Sequence, residues 1–127
     1  MHELSIVCGI VTAVTETLAG RPISRVYSVK LQVGALSGVV EDALQFSYGI
    51  ATQGTLLEGS RLEVLHIPIV IHCDACHIES DLPGVQSFRC PSCGTPSMDI
   101  RRGRELEIES MEVEEEEAEQ EEVEEDQ

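Results

Sequence analysis

Apolar residues recur at intervals of three and four from Leu4 through Val7, Cys8, Val11 and Val14 to Leu18, the repeat of a helix lying with one face on a core. Gly20 and Pro22 close that helix. Next, Ile23, Tyr27, Val29, Leu31 and Val33 alternate with Ser24, Ser28, Lys30 and Gln32, the period of a half-buried strand, with Arg25 and Val26 out of phase. Gly34 to Gly38 turns the chain, and Glu41 or Asp42 favours the start of a second helix through its dipole. Leu44, Tyr48 and Ala51 give this helix an apolar face that Phe46 and Ile50 widen, and Gly54 ends it. Arg61 to Ile71 is rich in β-branched residues and predicts one strand, in which Pro68 must sit at an edge or end the pairing. Leu106 and Ile108 alternate with Glu105, Glu107 and Glu109, predicting a third strand with one dry and one wet face.

Between those last two strands, residues 72 to 100 hold too few apolar side chains to bury a core, so the third strand should return to the first sheet. The pattern therefore predicts an α+β fold: a small sheet of about three strands with two helices, interrupted by an inserted lobe. The main domain spans residues 1–70 and 100–113, and the lobe 71–99. Residues 114–127 are almost all Glu, Gln and Asp, and their self-repulsion without apolar content predicts a disordered acidic tail.

Charge narrows the function. The formal net charge is −16, but residues 112–127 carry eleven acids and no base, leaving thirteen acids against eight bases elsewhere. Such a body lacks the basic surface that neutralises phosphates, which argues against nucleic-acid and anionic-membrane partners. Arg101, Arg102 and Arg104 form the one basic cluster, and they precede an acidic strand. The apolar run 4–14 has no basic flank or small-residue cleavage site and is too short for a membrane span. The mature chain is therefore expected to begin at residue 1 and, with the large His2 second, to keep its initiator methionine. The expected location is the cytoplasm. No Ser/His/Asp arrangement, phosphate loop or close carboxylate pair points to an enzyme.

Five cysteines suit a reducing cytosol better than a secreted disulfide framework. Cys73-Asp-Ala-Cys76 and Cys90-Pro-Ser-Cys93 are CxxC pairs separated by thirteen residues, near zinc-ribbon spacing. Two such turns facing one another make a closed tetrahedral S4 shell for structural zinc, which holds together a lobe too small to fold on burial alone. The 71–99 lobe is thus a zinc ribbon. A rubredoxin-like iron site uses similar ligands, although few aromatic residues are present to shield it, and a redox CxxC would open a helix. A ribbon module for nucleic acid or transcription machinery and a small redox or iron protein are the rival functions. His72 and His77 flank the first pair as solvated neighbours able to replace a thiolate. Cys8 is expected as a small buried hydrophobe on the first helix.

At the start of the chain, the amine of Met1 and the amide and imidazole nitrogens of His2 can chelate one metal in fused rings once the amide deprotonates. In-plane nitrogen ligation suits nickel(II) or copper(II) rather than zinc, and Glu3 can complete or hydrogen-bond the shell. Met1-His2-Glu3-Leu4-Ser5, Gly34-Ala-Leu-Ser-Gly38 with Phe46 beyond it, Gly54-Thr55-Leu56, Glu58-Gly59, CxxC and Cys90-Pro-Ser-Cys93-Gly94, in that order over residues 1 to about 113, resemble the HypA/HybF hydrogenase nickel-incorporation proteins. The resemblance implies a small metallochaperone with an α/β nickel domain and a zinc-ribbon lobe, which delivers Ni2+ to the NiFe-hydrogenase large subunit together with a GTPase of the same pathway. It implies His2 as principal nickel ligand, Glu3 as ligand or orienter, Met1 through its amine, and Cys73, Cys76, Cys90 and Cys93 as Zn2+ ligands, in a monomer or weak homodimer. Where some relatives place a further carboxylate, this chain reads Gly38-Val39-Val40 before Glu41 and Asp42, and neither acid is assigned to nickel. The acidic tail is not part of the family pattern.

Overall fold

The computed structural model describes residues 3–83 and 88–116. In chain order the elements are α1 (Glu3–Leu18), β1 (Ile23–Gly34), α2 (Glu41–Ala51), β2 (Arg61–Ile67), β3 (Ile69–Cys73), β4 (Ile78–Leu82), β5 (Ile100–Arg102) and β6 (Leu106–Glu115). The described residues form two helices and two three-stranded sheets, ordered β2-β1-β6 and β4-β3-β5, so the class is α+β, with one sheet more than the pattern predicts. Pro68 is the reason. It has no N–H for a ladder, and the run expected as one strand breaks there into β2 and β3, which enter different sheets.

The chain divides into two compact units, one of residues 1–30, 40–63 and 110–127, the other of residues 31–39 and 64–109. The expected lobe, 71–99, falls wholly within the second.

In the first unit α1 packs against α2. The inward face of α1 is Val7, Ile10, Val14 and Leu18, and that of α2 is Leu44 and Tyr48. Leu4 and Cys8, expected inside, are exposed; the buried set steps by three, four and four, and Ile10 extends the stripe on the side away from Cys8. Phe46 and Ile50 do not widen the buried face of α2 either, and Phe46 is 72% exposed. Leu44 and Tyr48 already fill one narrow stripe, and side chains two residues further round point away from it. In β1 the inward phase changes along the strand: Val26 and Ser28 are buried, then Val29, Leu31 and Val33. Tyr27, expected inside, is turned outward and its hydroxyl donates to the Glu114 carboxylate at 2.8 Å.

As expected, the last strand comes back to the first sheet, beside β1. Its half-buried residues are Leu106 and Ile108, then Met111 and Val113. Strand β6 also runs two residues into the segment expected as tail, where Arg21 pairs with Glu115 at 2.9 Å and the Pro22 carbonyl accepts the Glu116 N–H. The tail residues 117–127 lie outside the described residues.

The second unit is built on β3, the central strand of its sheet, with Ile69, Val70, Ile71 and Cys73 buried. Ile69, Ile71 and Leu82 form its core, with Leu36, Phe88 and Ile100 packed against them. Scarcity of apolar residues in 72–100 is met by drawing Leu36, Ile69 and Ile71 from outside that range. Strand β4 pairs antiparallel with β3, Ile69 opposite Leu82 and Cys73 opposite Ile78. Gly34 is required by close approach: its N–H reaches the Glu105 carbonyl at 2.7 Å, and a methyl group on it would overlap the Gly103 carbonyl. Among the described residues, no helix is long and apolar enough to cross a membrane.

Candidate metal centre

The two CxxC pairs are presented by turns of the same kind. Cys73 closes β3, and the His77 N–H donates to the Cys73 carbonyl at 2.6 Å. In the second turn the Gly94 N–H donates to the Cys90 carbonyl at 2.8 Å, and the Cys90 N–H donates to the Thr95 carbonyl. A bridge between Arg89 and Pro96 closes that turn from outside. Each turn ends on a residue with positive φ, +77° at Gly94 and +60° at His77. Glycine adopts that conformation without cost, whereas histidine carries a Cβ that strains it.

These turns bring the four sulfur atoms within 4.8 Å of one another. Cys73 Sγ lies 3.6 Å from Cys93 Sγ, and Cys90 Sγ 3.9 Å from Cys76 Sγ. Those separations far exceed a disulfide bond of about 2.05 Å. They match the edge of a tetrahedron of sulfurs around a metal at about 2.3 Å, which is about 3.8 Å. The donor set therefore fits one soft divalent ion held by four thiolates. Cys73 and Cys90 are buried while Cys93 is exposed, so the shell has a closed side and an open one.

Electrostatics within the cluster pulls the thiols apart. Thr95, hydrogen-bonded to Cys93 at 3.1 Å, is the main cause that brings the Cys93 thiol down to about 6. Backbone N–H groups of Cys93 and Ser92 lower Cys90 as well. Cys76 is pushed up to about 12, first by its hydrogen bond with Cys93 and then by burial. Within the cluster Cys90 and Cys93 are thus lowered and Cys76 is raised; a bound divalent cation displaces the thiol protons.

His72 and His77 are not part of the sulfur cluster. His72 is half-buried, with Nε2 3.4 Å from the Asp74 carboxylate, and the Ser97 hydroxyl donates to its carbonyl.

Of the Met1-His2-Glu3 set, Met1 and His2 lie outside the described residues. Glu3 is the first residue of α1, and its carboxylate accepts the Val40 N–H at 3.0 Å. Val40 is the N-cap of α2 and has no side-chain cap of its own, so Glu3 supplies an acidic acceptor at the start of a helix remote in sequence. Sequence reasoning did not find this link, because nothing in the spacing of residues 3 and 40 signals it.

Comparison with known proteins bears on all but the C-terminal end of the chain. Residues 1–113 match the family described as hydrogenase/urease nickel incorporation, metallochaperone, hypA. The hydrogenase maturation factor HypA of Chloroflexus aurantiacus is 45% identical over 111 residues, covering 87% of this chain and 97% of that protein. The hydrogenase maturation factor HypA of a Roseiflexus species is 43% identical over 111 residues, with 87% and 90% covered. Among solved structures, the solution structure of the Ni metallochaperone HypA from Helicobacter pylori aligns with a TM-score of 0.63 at 18% identity, covering 91% of this chain and all of that one. That likeness is one of fold.

Proposed function

Because the chain belongs to the HypA family of hydrogenase/urease nickel-incorporation metallochaperones, we propose that it carries Ni(II) on its N-terminus and gives it up to the NiFe-hydrogenase large subunit. The GTPase of the same maturation pathway assists that delivery, in the cytoplasm. The chain catalyses no bond chemistry. Its ligands are the Met1 amine and the His2 amide and imidazole nitrogens, with Glu3 as a further ligand or orienter. The observation that carries this reading is that the family match begins at residue 1 and so includes Met1-His2-Glu3.

Three demands follow for a carrier: take the ion, hold it against competitors, and release it to an acceptor. A chelate formed by two consecutive residues ahead of a helix is open to ligand exchange on one side. Glu3, anchored on Val40, fixes the point from which that short arm extends. The second metal is resident: zinc held by Cys73, Cys76, Cys90 and Cys93 supplies a cross-link that keeps the ribbon folded, and this lobe gives the client or GTPase a rigid surface to read.

The test is nickel titration of untagged, zinc-loaded protein, with X-ray absorption to identify the ligands. Specific uptake of one nickel by a mostly nitrogen shell is expected. His2→Ala, or one residue added before Met1, should weaken uptake by about 100-fold or more, about 2.7 kcal/mol, with zinc content and circular dichroism unchanged. Unchanged nickel affinity in both variants would sink the terminal site.

A further inference from the structure

Three of the chain's eight basic residues stand within four positions, Arg101, Arg102 and Arg104, and all three line a cavity of about 320 Å³ in the second unit. Ile100 and Leu106 supply its apolar wall. The backbone that bears these residues is pinned: the Gly103 carbonyl accepts the Leu36 N–H at 2.7 Å, the Gly103 N–H donates to the Glu105 carboxylate at 2.9 Å, and the Glu105 carbonyl accepts the Gly34 N–H at 2.7 Å.

The three guanidinium groups are not equivalent. Arg101 is already paired with two acids, with both oxygens of Asp99 at 2.8 and 2.9 Å and with Glu79 at 3.3 Å. Arg102 touches Glu105 through Nε alone, at 3.5 Å, so its two terminal amino groups make no hydrogen bond among the described residues. Arg104 is exposed and has no acidic partner among the described residues. Two acids, Glu105 and Glu107, share the wall with the three arginines, and Glu105 spends its carboxylate on Gly103 and Arg102.

From this geometry we infer that the cavity is a docking site for an extended acidic peptide of a partner protein, with Arg102 and Arg104 clamping a carboxylate while an apolar neighbour in the peptide rests on Ile100 and Leu106. Two observations favour a peptide over a free oxyanion. An inorganic ion has no use for the Ile100 and Leu106 wall. In addition, β5 is an edge strand of its sheet, where an extended segment can add alongside. The cavity is of the size that holds a few side chains, at the small end of the about 300–1,000 Å³ range for ligand pockets. The chain's acidic excess does not forbid such a ligand, because charges more than about 8 Å away are screened at physiological salt whereas paired guanidinium and carboxylate groups are not.

The experiment is fluorescence anisotropy of a labelled acetyl-Glu-Glu-Leu-Glu-Glu amide titrated with the full, zinc-loaded chain. Saturable binding is expected, weaker at high salt, and lost for the Gln-Gln-Leu-Gln-Gln counterpart. Arg104→Gln and Arg102→Gln should each weaken it about tenfold, the loss of one charge-assisted pair, and Arg101→Gln by less than about twofold because Asp99 and Glu79 already neutralise it. Arg25→Gln, on β1, should leave it unchanged. Equal binding by all four variants would overturn the site. Displacement of the peptide by inorganic phosphate at equal concentration would overturn the peptide reading, as would an Arg101→Gln effect as large as that of Arg104→Gln. Nickel content plays no part in the readout, so the outcome is independent of the terminal site.

Discussion

The two candidate metal sites differ in how much folded structure each needs. The sulfur cluster gathers four ligands from residues 73 to 93, and its turns depend on β3, on the bridge between Arg89 and Pro96 and on backbone hydrogen bonds at Cys73 and Cys90. Met1, His2 and Glu3 are consecutive, so in the proposed chelate covalent bonds set the rings, and among the described residues Glu3 is tied to the fold by the Val40 N–H. A closed shell that requires the fold suits a resident ion that stabilises it. A chelate that requires only a free amine and the histidine next to it suits an ion that must leave. The two sites should therefore fail independently.

The most severe test removes a buried sulfur. Structural zinc contributes about 10–16 kcal/mol to the folding of small zinc domains, as much as the whole stability of an ordinary domain. Cys73→Ser is thus expected to abolish stoichiometric zinc. Hydrogen exchange should then become fast at residues 69–82 and 100–102 while α1 and α2 stay protected, with nickel uptake unaltered. Collapse of nickel uptake together with zinc would break the comparison, because the terminus would then depend on the lobe.

A second expected outcome concerns the metal-free cluster. Cys93 lies at about 6 and Cys76 at about 12. Zinc loss loosens the lobe, so the order applies to the zinc-stripped chains that keep their turns; there, the thiolate being the reactive form, alkylation at neutral pH should modify Cys93 before Cys76. The rate at Cys93 should fall as pH drops through about 6. For stability the sign is that of a lowered group: the thiolate at Cys93 favours the folded apo lobe above the ordinary thiol range, and that contribution is lost as pH falls through about 6. Mass spectrometry of partly alkylated protein reads both. Equal labelling of the two cysteines would show that the turns do not persist without metal.

How far these features were legible in the sequence follows the same division. The cysteine pairs were readable because a CxxC turn is local, and the coming together of two turns is what their spacing implies. Helix α1 and the return of β6 were readable from period and from the shortage of apolar residues between 72 and 100. The second sheet was not, since Pro68 could as well have ended a strand at an edge as divided it between two sheets. Cys8 and Phe46 were misplaced because period fixes a face only to within about one residue per turn, and the neighbour across the helix decides the rest. Tyr27 and Ser28 were assigned to the wrong sides because the inward phase of β1 shifts partway along the strand, which alternation alone does not reveal. The arginine cluster was visible, but its cavity and the unequal partners of its three members were not.

A smaller effect separates turn geometry from chemistry at the first knuckle. His77 stands at φ +60° where the second knuckle has Gly94 at +77°. Left-handed backbone costs a non-glycine residue about 1 kcal/mol, so His77→Gly is expected to raise stability by up to about 1 kcal/mol, partly offset by the greater unfolded-state freedom of glycine. Thermal unfolding of the zinc-loaded chain measures it. A destabilised variant, or one that loses zinc, would mean that the imidazole serves the metal site and that strain is tolerated there for that reason.

The smallest expected effect tests where the two sites come closest to sharing a dependence on fold. Glu3, the proposed nickel residue among the described residues, is held by a tertiary contact, its carboxylate accepting the Val40 N–H at the start of α2. Removing it leaves that N–H at a solvent-accessible position, where water can replace the acceptor, so Glu3→Ala should cost only about 0.5–1 kcal/mol of stability. Glu3→Gln retains a side-chain oxygen for the hydrogen bond but not the charge that favours a helix start, and should cost less than Glu3→Ala. Nickel titration then distinguishes the roles of the side chain. If Glu3 orients the arm, Gln preserves affinity and Ala lowers it. If Glu3 ligates, both lower it, since an amide oxygen is a poorer donor to Ni(II) than a carboxylate. Should neither variant alter nickel binding, the contrast between the sites becomes complete: the terminal chelate would consist of Met1 and His2 alone, and Glu3 would serve only to join α1 to the start of α2.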